Sequence, residues 1–112
     1  AHRIAYEIIA KGLVELGIIS NESDASKYFM HGTSHYLGLD VHDPGTYTAL
    51  QPGVVMTVEP GIYIANGSPC DKKWWDIGIR IEDDILVTDG APIILSGALP
   101  RTISALEALM RE

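Results

Sequence analysis

The chain has 112 residues, enough for one domain with a modest core. Apolar residues make up 46% and charged residues 21%, the balance of a folded chain, and a formal net charge of −7 argues against nucleic acid as a partner. No apolar run approaches the roughly 20 residues of a membrane helix, no basic-then-apolar leader opens the chain, and the lone Cys70 excludes an internal disulfide and agrees with a reducing, cytoplasmic setting.

Residues 3–16 predict a helix, with Ala5, Ile8, Ile9, Leu13 and Leu16 on one face, Arg3, Glu7, Lys11 and Glu15 on the other, and Gly17 as its stop. Asn21 to Asp24 is a polar break able to cap a short helical turn leading to Tyr28-Phe29. The stretch from Met30 to Asp43 then holds three of the four histidines. Turns are expected at Pro44-Gly45 and Gln51-Pro52-Gly53. Val54 to Val58 reads as a buried strand, broken by Glu59-Pro60-Gly61 and resumed by Ile62-Tyr63-Ile64. Residues 65–76 read as a loop in which Cys70 is structural or incidental. Ile77 to Thr88 predicts two strands around a tight turn at Asp83-Asp84, followed by a turn at Asp89-Gly90. Thr102 to Met110 closes the chain as a helix, so the fold class is α+β with antiparallel strands.

Three segments put polar residues where strands should be apolar: the histidine stretch, Glu59 after five apolar-type positions, and Arg80 and Glu82 alternating with Ile79, Ile81 and Ile85. Alternate strand residues share a face, so Arg80 and Glu82 point the same way while the isoleucines pack behind them. Each signal has a plain reading. His31 and His35 suit hydrogen-bonded loop or helix positions, Glu59 suits a turn, and Arg80 with Glu82 suits a surface ladder. A carboxylate aimed inward, however, is costly unless paired or bound to a cation. One imidazole with several carboxylates suits Mn²⁺, Fe²⁺, Co²⁺ or Zn²⁺. Other chemistries fail on pattern: His31-Gly32-Thr33-Ser34-His35 has Gly where the zinc-protease helix needs Glu, no Cys pair exists, no glycine-rich phosphate cradle is present, and no nucleophile elbow surrounds Ser34.

Taken together, His31-Gly-Thr-Ser-His35-Tyr-Leu-Gly-Leu-Asp-Val-His42-Asp43, Thr57-Val-Glu59-Pro-Gly-Ile-Tyr63 and Gly78-Ile-Arg80-Ile-Glu82-Asp-Asp resemble the C-terminal half of the pita-bread metallopeptidase family, in order and spacing, over essentially the whole chain. Within it the aminopeptidase P (Xaa-Pro aminopeptidase) branch is the nearest likeness. The resemblance implies the C-terminal half of a curved antiparallel sheet with flanking helices. It also implies a site for two divalent ions, commonly Mn²⁺ with Co²⁺ or Zn²⁺ as alternatives. His35, Glu59 and Glu82 match metal ligands, with Glu82 bridging. His31 and His42 match substrate-handling histidines, Glu59 doubles as a proton shuttle, and Arg80 and Tyr63 match a pair bracing a ligand carboxylate.

The family's two Asp ligands match no segment here and are expected upstream of Ala1, so residues 1–112 are expected to form part of a longer catalytic domain and to be inactive alone. The implied reaction is water activation by the ions and removal of the residue before proline from a peptide. Prolidase, which cuts Xaa-Pro dipeptides, is the alternative within the class, and a non-catalytic interaction module on the same scaffold is the alternative outside it. One half of a two-half sheet should leave apolar surface bare, so self-association into a homo-oligomer is also expected.

Overall fold

The computed structural model describes residues 1–46 and 48–111. Helix α1 spans His2–Glu15. It ends in a paired cap: Gly17 N–H donates to Val14 O and Ile18 N–H to Leu13 O, both at 2.9 Å, with Gly17 at φ 70°. That left-handed position costs glycine nothing, which is why the helix stops there. The chain then doubles back as a 3₁₀ helix, Glu22–Lys27, and Ala10, Leu13, Ile18, Ile19, Ala25, Tyr28 and Ile64 close into the core. The buried face of α1 differs from the expected one. Ala10 and Leu13 are buried with Tyr6 and Ile9 beside them, whereas Ile8 and Leu16 are 67% and 52% exposed. Apolar residues lie nearly all round this helix, so periodicity alone selects no single face.

Strands β1 (Val55–Val58), β2 (Gly61–Ile64), β3 (Ile77–Arg80) and β4 (Asp83–Leu86) form two antiparallel pairs. β1 pairs with β4 from Val55 opposite Leu86 to Val58 opposite Asp83. β2 pairs with β3 from Gly61 opposite Arg80 to Ile64 opposite Ile77. The register is the same in both, so they are two stretches of one long hairpin, interrupted where Glu59-Pro60 faces Ile81-Glu82. Pro60 has no N–H to give the ladder, which accounts for the break. The expected tight turn at Asp83-Asp84 is therefore not formed. Both residues lie within β4, and the chain reverses instead through residues 65–76. That connection carries a 3₁₀ helix, Lys72–Trp74, capped by Asp71, whose carboxylate accepts from Lys73 N–H at 3.0 Å. A short strand, β5 (Ile93–Ile94), adds to β4.

Residues 28–37 run antiparallel along the outer edge of β1 and β2. Tyr63, Glu59 and Thr57 donate backbone N–H bonds to the carbonyls of Tyr28, Thr33 and His35 at 2.9, 2.7 and 2.9 Å, and Leu37 donates to Val55 O at 3.0 Å. This irregular strand spans the break and stitches the two sheet stretches together. Behind the sheet, Ile9 of α1 shares an apolar groove with Pro60, Ile62, Ile79 and Ile81. Helix α2 (Ile103–Leu109) starts at Thr102, whose hydroxyl accepts from Ala105 N–H. The α+β expectation thus holds, and among the described residues no helix is long and apolar enough to cross a membrane.

Candidate metal centre

The break in the hairpin is where the chemistry collects. Carrying the shared register across it sets Glu59 directly opposite Glu82. The histidine strand passes on the other side of Glu59. His35, Glu59 and Glu82 each offer a ligand atom within 4.8 Å of the others, the three residues singled out from the sequence as metal ligands.

Each of the first two is braced. His35 and Thr57 are joined by two bonds: Thr57 N–H donates to His35 O, and His35 N–H donates to the Thr57 hydroxyl at 3.0 Å. That hydroxyl in turn donates to Glu59 Oε1 at 3.1 Å. Thr57 is 1% exposed and thus couples the imidazole's backbone to the carboxylate. It was not singled out from the sequence, although a hydroxyl inside the apolar run Val54 to Val58 is the signal that could have found it. His35 Nδ1 lies 3.1 Å from Tyr36 O, which only accepts, so Nδ1 carries a proton and points away from the cluster. The other ring nitrogen, Nε2, faces Glu59 Oε1 at 3.1 Å. A cation placed beside these two atoms would take both as ligands, and a ligating histidine typically donates its other N–H to such a carbonyl. The donor set of one imidazole and two carboxylates therefore fits a divalent ion of the Mn²⁺, Co²⁺ or Zn²⁺ type.

Tyr63 and Arg80 form a second chain of contacts. Arg80 Nε donates to the Tyr63 hydroxyl at 2.8 Å, and that hydroxyl lies 3.0 Å from His31 Nε2. His31 Nδ1 is 2.7 Å from Gly32 O. All directions agree if Arg80 donates to Tyr63, Tyr63 to His31, and His31 to Gly32. The Arg80 guanidinium also stands 3.7 Å from Glu59 Oε2, so it reaches back across the sheet to the buried carboxylate rather than forming a surface ladder. Gly61 makes the crossing possible: a Cβ there would overlap the Tyr63 hydroxyl and come within 2.9 Å of His31 Nε2. His42 is exposed, with its ring 4.4 Å from that of His35 in an edge-on contact. His35, Glu82 and Arg80 thus stand close to Glu59, while Tyr63 and His31 connect to it through Arg80 and His42 through His35. Of the three ligand candidates Glu82 alone is exposed, and no hydrogen bond fixes its carboxylate among the described residues.

The Arg101 guanidinium, helped by the Ser96 hydroxyl, holds the Asp83 carboxyl below its ordinary range. Burial, with Cys70 beside it, pushes the Tyr28 phenol up.

The model of metallopeptidase family M24 matches residues 1–89. The chain is 44% identical to the Xaa-Pro aminopeptidase of Escherichia coli (strain K12), covering 92% of this chain and 26% of that protein. It is 40% identical to human Xaa-Pro aminopeptidase 3, covering 91% and 22% respectively. Among solved structures, Pseudomonas aeruginosa aminopeptidase PepP superposes with a TM-score of 0.92 at 40% identity, over 98% of this chain and 28% of that one. Escherichia coli aminopeptidase P with the inhibitor Pro-Leu superposes at 0.90 and 40% identity, over the same shares of the two chains. The chain spans about a quarter of the length of these relatives. Its fold is that of the corresponding part of these aminopeptidases, and the chain belongs to metallopeptidase family M24.

Proposed function

We propose that these residues supply part of a two-metal peptidase centre, and that the whole protein removes the N-terminal residue from peptides with proline in second position. The observation that carries this reading is the convergence of His35, Glu59 and Glu82 across the hairpin break, in a chain about 40% identical to Xaa-Pro aminopeptidases. His35, Glu59 and Glu82 would hold the ions, with Mn²⁺ favoured over Co²⁺ or Zn²⁺, and two Asp ligands would come from outside residues 1–112. Bound divalent ions supply Lewis acidity at the scissile carbonyl and lower the pKa of water.

The chain's own residues do the rest. Glu59 is buried yet faces the cluster, so its carboxylate takes the proton from water and passes it to the leaving nitrogen. Arg80 and Tyr63 keep that carboxylate aimed. His42, exposed beside His35, donates a hydrogen bond to the carbonyl oxygen as charge builds there. His31 handles substrate by exchanging its bond from Tyr63 for one to the peptide. Proline preference draws support from the named relatives and from the fixed φ of a proline ring, which a dedicated pocket can recognise. The same relatives favour aminopeptidase over prolidase chemistry, and an intact ligand triad speaks against a non-catalytic module.

The test is hydrolysis by the full-length protein with Mn²⁺. A Xaa-Pro-Xaa tripeptide should be cut before proline, the Xaa-Pro dipeptide should be a poor substrate, and a chelator should abolish turnover. Preferential dipeptide cleavage would overturn the assignment in favour of prolidase. The 112 residues alone should show no chelator-sensitive turnover, because among the described residues just three candidate ligands converge.

A further inference from the structure

Glu82 is the ligand candidate that the site itself does not brace. It sits in the gap between β3 and β4, where ladder pairing stops at Arg80 and resumes at Asp83. Its carboxylate can be only as well placed as its backbone. That backbone is fixed one residue later. Asp83 pairs with Val58 on β1, and its side chain is gripped by Arg101 and Ser96. Arg101 Nε donates to both Asp83 carboxylate oxygens, at 3.0 and 2.9 Å, and a terminal Arg101 nitrogen also donates to Oδ1. Ser96 Oγ donates to Asp83 Oδ1 at 2.6 Å and accepts from Asp84 N–H at 3.1 Å. Arg101 is itself held, donating to Ser96 O at 3.2 Å and Leu99 O at 3.4 Å. A planar guanidinium matched to a carboxylate fixes direction as well as distance.

We propose that Arg101 is a positioning residue for the metal ligand Glu82, acting through Asp83. The inference rests on the metal-centre reading above. Its prediction is specific to one ligand: removing the clamp lets the chain at Glu82 drift while His35 and Glu59, braced through Thr57 and Arg80, stay in place.

The experiment is calorimetric Mn²⁺ titration of the full-length protein, well below its unfolding temperature. Arg101→Met should weaken Mn²⁺ binding by about tenfold, the scale seen when a ligand's supporting contact is lost. Asp83→Asn should do the same. The double variant should be no weaker than either single one, because both act through one contact. Arg101→Lys, which keeps the charge but not the fork, should fall between. If Arg101→Met does not fold, Arg101→Lys decides the matter, and wild-type affinity in it overturns the proposal. Arg101→Met with a lowered unfolding temperature and unchanged Mn²⁺ affinity would show a purely structural clamp. A wild-type protein that binds no Mn²⁺ instead overturns the metal-centre reading itself.

Discussion

Thr57→Val is the most informative single change to the framework of the site. Valine keeps the shape of threonine and replaces the hydroxyl with a methyl group at a position 1% exposed. The hydroxyl accepts from His35 N–H at 3.0 Å and donates to Glu59 Oε1 at 3.1 Å. An amide left unsatisfied in the interior costs about 1–3 kcal/mol, and a hydrogen bond to a charged group contributes about 1.5–3 kcal/mol. The extra buried methyl returns about 0.8 kcal/mol. Since contributions within one network do not simply add, the expected net loss is about 2–4 kcal/mol. Urea unfolding of the metal-free protein measures it as a lower midpoint at unchanged slope. Mn²⁺ affinity should fall by about 10–100-fold in the same variant, because the carboxylate loses the contact that orients it. A stability change under about 0.5 kcal/mol together with wild-type Mn²⁺ affinity would refute the argument that this hydroxyl joins the imidazole strand to the carboxylate.

Further outcomes follow from the same geometry. Gly61→Ala should cost about 1–3 kcal/mol, because its Cβ collides with the Tyr63 hydroxyl, whereas Gly78→Ala, whose Cβ would meet Tyr63 at an ordinary 3.7 Å, should cost far less; unfolding midpoints compare the two. Asp76 sits at φ 60°, a left-handed position, and Asp76→Gly should stabilise the chain by about 0.5–1 kcal/mol in denaturant titration after loss of its exposed bond from Asn66. Asp83 has its carboxyl pKa lowered by Arg101, so its contribution is complete above the ordinary carboxylate pKa of about 3.9 and is lost as pH falls through the lower native value. The stability gap between wild type and Arg101→Met should therefore be flat from neutral pH down to about 5 and close in stronger acid, and thermal melts across that range check it. Ile79 and Ile81 are 51% and 46% exposed on the sheet and Ile4 and Ile8 are 55% and 67% exposed on α1, so residues 1–112 alone should self-associate, and a monodisperse monomer in sedimentation velocity would contradict this.

His35, Glu59 and Glu82 were legible as ligand candidates chiefly through their match to the family's motifs, although the two glutamates also break an apolar pattern. Glu59 ends a buried run, and Glu82 alternates with isoleucines. What the pattern could not convey is register. Glu59 and Glu82 meet because two strand pairs keep one register across a gap, and that depends on a long-range pairing with no local signature. Reading Asp83-Asp84 as a turn came from the same blindness: two acidic residues look like a reversal until a partner strand explains them. Thr57, Asp83 and Arg101 escaped notice because their importance lies in contacts 2, 18 and 22 positions away in sequence. The face of α1 was misjudged for a different reason. Ile4, Ile8, Val14 and Leu16 ring the helix, so only the docking of Ala10 and Leu13 reveals which side is buried.

The claim on which the account depends is that His35, Glu59 and Glu82 bind one metal centre. Anomalous diffraction at the manganese edge, from crystals of the full-length protein soaked in Mn²⁺, tests it directly. The account predicts a peak within coordination distance, about 2.0–2.4 Å, of His35 Nε2 and of both glutamate carboxylates. Strong Mn²⁺ peaks elsewhere with none among these three side chains would contradict it.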